Sequence, residues 1–504
     1  MEEKKQLIGS VLSQSSRSEE ILIVTSLDRA GKLKRATILA HDTSYETILL
    51  QVVDKITMSD ISEQDLFLMS ENERLAFKIL EKSPITYVLK SLIVGSIREV
   101  NGEKIIFGSP NSFVADSSRD VRKLSLEEKK MIYDRGSLEV GKTFDGSKVT
   151  LPINGLLQRH LSIIGMTGCG KSFLIGLLCE ELAQHKAAIL LIDPHNEYLP
   201  MAQSLSKKTK RMLYGLGTAV GLNKYTLDVK NISASNFQHF TGMGDGSASI
   251  LDQAIRELKK RKIRYSLDDI LEVLNDKINN SSKSEATAAS WARNYLLNLS
   301  SSGFFGTSEP KIDEIVQANQ VSVIAMSGIK EKIQQFVVTN LLQRIFNARR
   351  KEKIPPVVLI VEEAHRFAPS GSNVSSSDII RTIATEGRKF GICLFVASQR
   401  PNRLDSTVLS QCVTNIVMKI KNPADLASVR ESAENATDDV INELPKFERG
   451  EALVMGESFP ISIRFKVKSE RRTKHGGMSV DYENIWKEEA EKTDSEVYDF
   501  PDEL

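Results

Sequence analysis

The chain has few cysteines, few aromatic residues and no long apolar segment. Four cysteines occur in 504 residues, and aromatic residues make up 6% of the chain. No two cysteines form a C-x-x-C pair, which argues against a disulfide framework or a zinc site and is typical of a reducing cytoplasm. The longest apolar runs have the length of strands, and the start, MEEKKQLIGS, lacks the pattern of a signal peptide. We therefore expect a cytoplasmic protein that does not enter a membrane.

A dominant sign of charge is also missing. The 67 basic and 66 acidic residues leave a formal net charge of +1, and 41% hydrophobic content is ordinary for a globular protein. Any contact with nucleic acid would therefore depend on local basic patches. Two basic clusters occur, at 207–211 and 259–262, but runs of this kind are more often simply solvated. The sequence thus assigns no DNA-contact residue.

One glycine-rich stretch indicates nucleotide binding. Residues 165–172 fit G-x-x-x-x-G-K-[ST], between a strand pattern at 159–164 and a helical pattern at 173–185. Glycines let backbone N–H groups surround phosphates at the positive end of the following helix. The lysine can reach the β- and γ-phosphates, and the serine hydroxyl can ligate Mg²⁺. The predicted contacts with ATP are Gly165, Met166, Thr167, Gly168, Cys169, Gly170, Lys171, Ser172 and Phe173.

Residues 1–125 have the pattern of a small all-β domain. Short β-branched runs separated by turn signals predict a small barrel or sandwich, with one helix at 72–82. No catalytic constellation occurs here, and we interpret the region as an assembly or docking module. The predicted strands are 20–27, 35–40, 45–56, 89–99 and 104–108.

Residues 126–468 alternate between strands and helices. This predicts an α/β fold, a RecA-like P-loop NTPase core with a doubly wound, mostly parallel sheet. A helical insertion is expected at about 232–319, where Ser266 and Asp269 have the spacing of a capping box. Residues 469–504 form a charged extension, which we interpret as solvated or wrapped around a partner. The predicted core strands are 159–164, 187–192, 321–327, 357–361 and 392–397, and the main helices are 173–185, 267–278, 285–299, 330–353 and 378–389.

Two predicted strands end in acidic residues, so two positions compete for the acid near Mg²⁺. Asp193 ends the strand after the P-loop helix, and Glu362 with Glu363 ends a later one. We expect the strand with the doublet to lie beside the P-loop strand. Glu362 would then be near the metal, and Glu363 would polarise the attacking water. Asp193 would be a second Mg²⁺ or water-shell acid, or else a helix N-cap or loop residue.

Three further residues are candidates for contact with the γ-phosphate. Gln399 ends the strand at 392–397, where it could sense this phosphate or be a simple strand-end amide. Arg388 precedes that strand and is a candidate arginine finger, because the planar guanidinium pairs with phosphate oxygens. Arg159, before the P-loop strand, is a weaker candidate. Both arginines could instead be ordinary surface residues.

The chain contains one P-loop and one core. Helicases of superfamilies 1 and 2 carry two such cores in one chain, so this class is excluded. A GTPase is not favoured, because Asn223-Lys224-Tyr225-Thr226 lacks the aspartate of the N-K-x-D motif. A motor with a single core would receive its arginine finger from a neighbouring subunit, which favours a closed ring.

Five motifs, in order, resemble those of the HerA branch of the HerA/FtsK ATPases. The β-rich start likewise resembles the HAS-barrel of archaeal HerA, and the resemblance extends from about residue 5 to 468. One departure is Glu362, where the wider family commonly has aspartate; its extra methylene leaves open a metal contact mediated by water. The motifs are GMTGCGKS at 165–172, LLIDPHNEY at 190–198, VVLIVEEAHRF at 357–367, EGRKFGICLFVASQRP at 386–401 and RGEALVMG at 449–456.

The resemblance implies a homohexameric, ATP-driven translocase or helicase on double-stranded DNA. It further implies work with the nuclease NurA in end resection during recombinational repair, with the double-strand-break nuclease–ATPase complex as another partner. Two alternatives stay open: a ring ATPase that moves protein or drives secretion, and a nucleotide-gated scaffold for a nuclease. By position, the resemblance assigns phosphate and Mg²⁺ binding to Lys171 and Ser172, acid roles to Asp193 and Glu363, γ-phosphate sensing to Gln399 and Arg388, and contact with a neighbour's site to Arg159.

Overall fold

Two large sheets organise the described part of the protein, a small barrel near the N-terminus and a mixed sheet in the remainder, and a third sheet has only two short strands. The computed structural model describes residues 6–14, 20–31, 33–57, 86–111, 120–216, 221–261, 264–300, 303–306, 309–372, 374–433 and 438–475. The strands are β1 Leu7–Gln14, β2 Glu20–Ser26, β3 Ile38–Asp42, β4 Thr47–Thr57, β5 Thr86–Val100, β6 Glu103–Phe107, β7 Asp120–Lys123, β8 Leu138–Lys142, β9 Lys148–Leu151, β10 Leu161–Ile164, β11 Ala188–Asp193, β12 Lys210–Gly215, β13 Asn223–Lys224, β14 Leu227–Asp228, β15 Phe305–Gly306, β16 Gln320–Ala325, β17 Val357–Val361, β18 Ile392–Ser398, β19 Thr414–Val417, β20 Glu451–Gly456 and β21 Phe459–Val467.

The α-helices lie mainly in the core and its insertion. Within the described ranges, no helix is long and apolar enough to cross a membrane. The helices are α1 Leu27–Ala30, α2 Leu126–Tyr133, α3 Ile153–Leu157, α4 Lys171–Gln184, α5 Leu199–Gln203, α6 Ala234–Thr241, α7 Asp245–Lys260, α8 Leu267–Asn280, α9 Lys283–Ser300, α10 Ile312–Ile315, α11 Glu331–Arg350, α12 Ser377–Glu386, α13 Ser406–Ser410, α14 Pro423–Ser432 and α15 Asp438–Glu443.

Six antiparallel strands close the N-terminal barrel. Their order is β2-β1-β7-β3-β4-β5, and β2 also pairs with β5, so these strands leave no free edge. Strand β6 adds to the outside of β5. Buried β-branched and leucine side chains such as Ile21, Ile23, Leu39 and Leu50 fill the interior. The predicted small barrel is confirmed.

The sequence pattern did not predict two of the barrel strands, β1 and β7. Strand β1 reads LIGSVLSQ, in which glycine and serines hide the apolar alternation. Gly9 is needed there, because a Cβ atom would overlap the carbonyl oxygen of Val24 on β2. Pairing with neighbouring strands, rather than local propensity, makes β1 a strand. The helix expected at 72–82 lies outside the described residues.

The large sheet has twelve strands and carries the P-loop near its middle. The order is β13-β12-β16-β11-β17-β18-β10-β19-β20-β21-β8-β9. Neighbours from β13 to β19 run parallel, and those from β19 to β9 run antiparallel. Strands β17 and β18 are buried at every position, as the apolar runs predicted. The predicted RecA-like, mostly parallel core is confirmed.

The prediction that the strand ending at the acid doublet lies beside the P-loop strand was wrong. Strand β10 lies between β18 and β19, and β18 separates it from β17, which ends before Glu362. Strand β11, which ends in Asp193, lies one strand further away. Strand β18 is buried at every position, and its backbone pairs with β10 along one edge and with β17 along the other. Side chains of glutamate and lysine are long enough to meet across the intervening strand.

Helices α6 to α10 lie between β14 and β16, where the helical insertion was expected. Ser266 caps α8, accepting the N–H of Asp269 at 3.3 Å, and the Asp269 carboxylate accepts the N–H of Ser266 at 2.5 Å. The predicted capping box is therefore present. A cluster of phenylalanine rings joins the insertion to α11, with Phe240 and Phe336 centroids 4.5 Å apart.

Candidate nucleotide-binding and hydrolysis site

The P-loop connects β10 to α4 at the carboxyl edge of the sheet. Gly168 and Gly170 have φ angles of +78° and +108°, which residues with side chains rarely adopt. A Cβ atom at Gly165 would lie 2.6 Å from the Cys169 sulfur and 2.9 Å from Met418 Cβ. The loop therefore needs its glycines for backbone shape and for close packing against Cys169 and Met418, the residue that follows β19.

The two variable loop positions, Thr167 and Cys169, have distinct structural roles. Cys169 is 3% exposed and packs beneath the loop, with its sulfur 3.9 Å from the sulfur of Met418. Burial raises the pKa of the Cys169 thiol. Thr167 is exposed on the outer side, and its hydroxyl donates a hydrogen bond to Gln399 Oε1. The structure thus joins the loop to the end of β18, and contact of Gln399 with the γ-phosphate stays a prediction.

Lys171 lies between the two glutamates that follow β17. It is 7% exposed, and its Nζ is 3.0 Å from Glu362 Oε1 and 2.9 Å from Glu363 Oε1. Burial disfavours the charged ammonium, but the two carboxylates outweigh it and raise the pKa of Lys171 well above its usual value. The sequence predicted this acid pair, and the structure brings it to the P-loop lysine.

Glu363 is strained and incompletely paired. Its φ of +49° is in the left-handed region, an unusual conformation for a glutamate and one that recurs at functional sites. Its Oε2 atom is buried and has no hydrogen-bond partner among the described residues. That atom lies 3.2 Å from His365 Nδ1, whose hydrogen bond goes to the Ser398 hydroxyl at 3.1 Å. Burial and nearby cations lower the pKa of His365 to about 4, so it is neutral at pH 7.

Tyr198 is a site residue that the motif reading missed. Its hydroxyl donates a hydrogen bond to Glu362 Oε2 at 2.7 Å, while Oε1 of the same carboxylate faces Lys171. Burial, together with the charge of Glu362, raises the pKa of Tyr198 well above its usual value. Its place in LLIDPHNEY could have indicated Tyr198 as a site residue, because a tyrosine hydroxyl buried near a strand end needs a polar partner.

The carboxylate of Asp193 accepts hydrogen bonds from the loop that follows it. Its carboxylate accepts the N–H groups of His195, Glu197 and Tyr198 at 3.3, 3.1 and 3.0 Å. The residue is fully buried, and burial raises the pKa of Asp193 to about 7 against the effect of these hydrogen bonds. This geometry is that of the loop residue considered as the alternative above, and it places Tyr198 correctly. A direct metal contact by Asp193 stays a prediction.

Arg159 and Arg388 lie at the opposite edge of the sheet from the P-loop. Each precedes a strand, β10 or β18, whose carboxyl end carries the site. Strand β18 has seven residues, so its two ends are roughly 20 Å apart. Arg388 is exposed, and Arg159 Nη2 pairs with Glu457 at 2.8 Å. Neither arginine is brought to the nucleotide site of its own chain.

The oxygen atoms at the site suit a magnesium ion that arrives with a nucleotide. Within the described ranges, no group of three or more His, Cys, Asp or Glu side chains could hold a metal ion. Mg²⁺ needs few protein ligands when phosphates and water complete its shell. Ser172, half-buried in the first turn of α4, offers a hydroxyl, and the buried, unpaired Glu363 Oε2 suits a cation or its water. Glu362, by contrast, is already bonded at both oxygens.

The C-terminal extension also reaches this region. In its described part, the side chain of Arg471 is 3% exposed and pairs with Glu180 of α4 at 2.6 Å, so this part contacts the core. Residues 481–504, which carry ten acidic residues against two lysines, lie outside the described residues. A buried ion pair between distant segments has no local sequence signal, so the sequence could not predict this contact.

Comparisons with known proteins agree with the geometry. Residues 138–345 match the family model of the HerA helicase central domain. A probable helicase of Methanocaldococcus jannaschii is 25% identical over 92% of this chain and 95% of its own length. The DNA double-strand break repair helicase HerA of Sulfolobus acidocaldarius is 26% identical over 98% of this chain and 99% of its own.

A solved structure gives independent support for the fold. VirB4 of Thermoanaerobacter pseudethanolicus superposes with a TM-score of 0.53 at 16% identity, over 67% of this chain and 98% of that one. The P-loop, the buried acid pair and the glutamine at the end of β18 form one site on this shared architecture. The chain is thus a P-loop ATPase related to the HerA helicases, and its residues 138–345 match the model of their central domain.

Proposed function

We propose that the protein is an ATP-driven helicase that translocates on double-stranded DNA during double-strand break repair. The relation to proteins named DNA double-strand break repair helicase HerA, over nearly the whole length of both chains, supports this function. The full assignment is a homohexameric ring that uses ATP and Mg²⁺ and acts with the nuclease NurA. The double-strand-break nuclease–ATPase complex is proposed as a further partner.

The observation that carries the proposal is the position of Lys171 between Glu362 and Glu363. A triphosphate would attract the ammonium group away from the carboxylates, because phosphate oxygens carry more negative charge. Glu363 would then be free to orient and deprotonate the attacking water. Gln399 is hydrogen-bonded to the P-loop through Thr167, which supports a response of this glutamine to the γ-phosphate. Occupation of the site would thus change contacts at the ends of β17 and β18 together.

Magnesium fits this scheme through the chain's own oxygen atoms. We propose that the Ser172 hydroxyl holds the ion and that Glu362 contacts it through water, while the hydrogen bond from Tyr198 keeps one oxygen of the Glu362 carboxylate occupied. When bound, the ion neutralises charge that develops on the phosphates. The hydrogen bond from Tyr198 would hold Glu362 in one orientation before and after the nucleotide binds. Asp193 would hold the loop that carries Tyr198 in place.

A neighbouring subunit would complete the site. Arg159 and Arg388 precede β10 and β18, roughly 20 Å from the nucleotide edge of their own chain. Their position supports a role as arginine finger or sensor in trans, across a heterologous interface that closes into a ring. The number six rests on the resemblance to HerA proteins alone.

ATP turnover with and without linear duplex DNA tests the proposed function. DNA should stimulate turnover in the wild type, and Lys171→Ala should abolish turnover in both conditions. Because phosphate contacts are sensitive to salt, the assay is run over a range of ionic strength. An ATPase that DNA does not stimulate at any salt concentration would contradict the DNA motor. It would favour a motor on protein or a nuclease scaffold.

Mixing of inactive subunits tests the shared site. Lys171→Ala subunits retain their arginines, and Arg388→Ala subunits retain an intact P-loop. If Arg388 acts in trans, a mixture of the two should recover part of the wild-type turnover that neither has alone. The control is a mixture of Lys171→Ala with Glu363→Gln, which both damage the acceptor site and should recover nothing. Full activity of Arg388→Ala by itself would remove this residue from the mechanism.

A further inference from the structure

A short C-terminal segment is clamped onto the P-loop helix. We define the C-terminal clamp as residues 471–475. Within it, Arg471 Nε donates to Glu180 Oε1 at 2.6 Å, and the Arg472 N–H donates to Glu180 Oε2 at 2.9 Å. The Lys474 N–H donates to Ser204 Oγ at 2.8 Å. The buried pair, with side chains 3% and 2% exposed, fixes the clamp on α4.

The Arg471 guanidinium lies flat against one face of α4. Gly176 makes this possible, because a Cβ atom there would be 2.5 Å from both terminal nitrogens of Arg471. Phe173 is one turn earlier and Glu180 one turn later, so all three contacts are on one helix face. The guanidinium carbon is 5.1 Å from the centroid of the Phe173 ring, a cation–π contact. The clamp therefore reaches the first turn of α4, beside the phosphate-binding loop.

Two aromatic rings form a corner at this place. The rings of Phe173 and His475 have centroids 5.3 Å apart and planes inclined at 69°. Both residues are half-buried, so each ring keeps some exposed surface. Burial, with the neighbouring Arg471 and Arg449, lowers the pKa of His475 and so favours the neutral imidazole. A neutral, inclined pair of rings suits stacking of a flat heterocycle.

The direction of the phosphate chain leads from the acid pair to this corner. In the function proposed above, the γ-phosphate lies beside Lys171, Glu363 and Gln399, which the structure brings to the P-loop. The remaining phosphates follow the backbone N–H groups of the loop into the first turn of α4. The nucleoside must then leave on the side away from Glu363. Phe173 follows Ser172 directly and is the first ring beyond the loop on α4.

We propose that the corner of Phe173 and His475 is the subsite for the purine base of the bound nucleotide. Arg471 is a positioning residue, because it holds both rings through α4 and the clamp. The proposal deepens the function proposed above and rests on it in one respect, the use of ATP as fuel. It gives the C-terminal clamp a role in recognition of the base. The chain has no N-K-x-D motif that could serve this purpose.

Competitive binding of two ligands tests the base subsite in the full chain, without DNA. A fluorescent ATP analogue is displaced either by ATP or by inorganic tripolyphosphate, both with Mg²⁺. His475→Ala and Phe173→Leu should raise the Kd for ATP about tenfold each, the size of one lost base–aromatic stacking contact. The Kd for tripolyphosphate should stay within about twofold, since that ligand has no base. Arg472→Ala, an exposed position of the same clamp, is the control and should change neither Kd.

Any other outcome contradicts the proposed base subsite. If both ligands weaken equally in His475→Ala and Phe173→Leu, the clamp merely supports the helix. If neither weakens, the base lies elsewhere, and the same conclusion follows if the wild type binds tripolyphosphate as tightly as ATP. Failure of the proposed function is distinguishable, because it would appear as wild-type turnover that DNA does not stimulate while ATP binding persists. Thermal unfolding of each variant checks that the fold is kept.

Discussion

Two buried ion clusters differ in how completely the chain satisfies them. At the joint of barrel and core, Arg122 of β7 donates five hydrogen bonds, one for each N–H group. They go to Asp42 of β3, Glu128 of α2 and a backbone carbonyl, at 2.6 to 3.1 Å. At the nucleotide site, one ammonium of Lys171 serves two carboxyl groups, and Glu363 Oε2 has no hydrogen-bond partner in the described part of the chain.

The contrast is between an ion cluster whose guanidinium N–H groups are all hydrogen-bonded and one that leaves a buried carboxylate oxygen without a hydrogen bond from the described residues. A buried carboxylate oxygen without a donor costs free energy, because it has lost its water. The joint avoids that cost through the fork of the guanidinium, which matches two carboxylates at once. The nucleotide site bears the free-energy cost of an unpaired carboxylate oxygen, together with the strain of a positive φ at Glu363. Strain and an unpaired buried oxygen at one residue recur at functional sites, which is consistent with the role proposed for Glu363.

The largest effect is expected from Glu363→Gln, which separates catalysis from stability. The amide cannot accept the proton of the attacking water, so kcat should fall by roughly 10²–10⁴-fold, the usual contribution of a general base. ATP binding should persist, because Lys171 and the loop are unchanged. Steady-state ATPase assays and nucleotide titration measure the two quantities. The control is Glu257→Gln, an exposed glutamate of α7, and comparable kcat values for the two variants would remove Glu363 from catalysis.

The joint should respond in the opposite way to Arg122→Ala. Removal of the guanidinium leaves Glu128 buried and unpaired, which should lower the free energy of unfolding by about 3 kcal/mol. The kcat of the folded protein should be unchanged. Chemical unfolding and ATPase assays measure these outcomes. Lys104→Ala removes an exposed pair with Glu127 and is the control, with an expected loss below about 0.5 kcal/mol; equal losses would show that the joint is not special.

The joint should also weaken in acid. Burial disfavours the charged Glu128, but hydrogen bonds from Arg122 outweigh it and lower the pKa of Glu128 below its ordinary value of 4.5. A carboxyl group with a lowered folded-state pKa stabilises the fold above its unfolded pKa, and this stability is lost as the pH falls through the folded value. The stability difference between wild type and Glu128→Gln should therefore be full at pH 7 and shrink below about pH 4.5. A difference independent of pH would refute this assignment.

The smallest effect is expected from Tyr198→Phe, which adds a second unpaired oxygen to the nucleotide site. Loss of the hydrogen bond to Glu362 should reduce kcat about fivefold and raise the Mg²⁺ concentration needed for half-maximal turnover, since such a bond contributes about 1 kcal/mol. Mg²⁺ titration of the ATPase measures this. Tyr214→Phe is the matched control, because its buried hydroxyl has no hydrogen-bond partner among the described residues. Identical Mg²⁺ profiles for wild type and Tyr198→Phe would limit Tyr198 to packing.

Much of the core was predictable because its signals are local. The predicted strand over Val357–Val361 has the bounds of β17, and the helix expected at 173–185 begins two residues earlier, at Lys171. The apolar runs, the P-loop glycines and the capping box of Ser266 each act within a few residues. Strand β1 was missed because its pairing partners, rather than its own residues, make it a strand.

The site divides in the same way between local and long-range determinants. Glu362, Glu363, Gln399 and the P-loop were identified, because strand ends and glycine spacing are visible in the chain. The bond from Tyr198 to Glu362 was not, since the two residues are 164 positions apart. The order of the strands was also mispredicted, because crossover connections can skip a place in the sheet.

The sequence by itself determined the phosphate-binding loop, the acid doublet, the alternation of strands and helices, and the resemblance to HerA proteins. These depend on residue type and short spacing, which backbone geometry and burial convert directly into local structure. The tertiary structure alone decided that β18 lies between β10 and β17, that Asp193 orders its own loop, and that Arg159 and Arg388 lie far from their own nucleotide site. It also decided that the C-terminal clamp rests on α4. Each of these depends on which distant segments pack together to bury polar groups in pairs, and no local pattern encodes that choice.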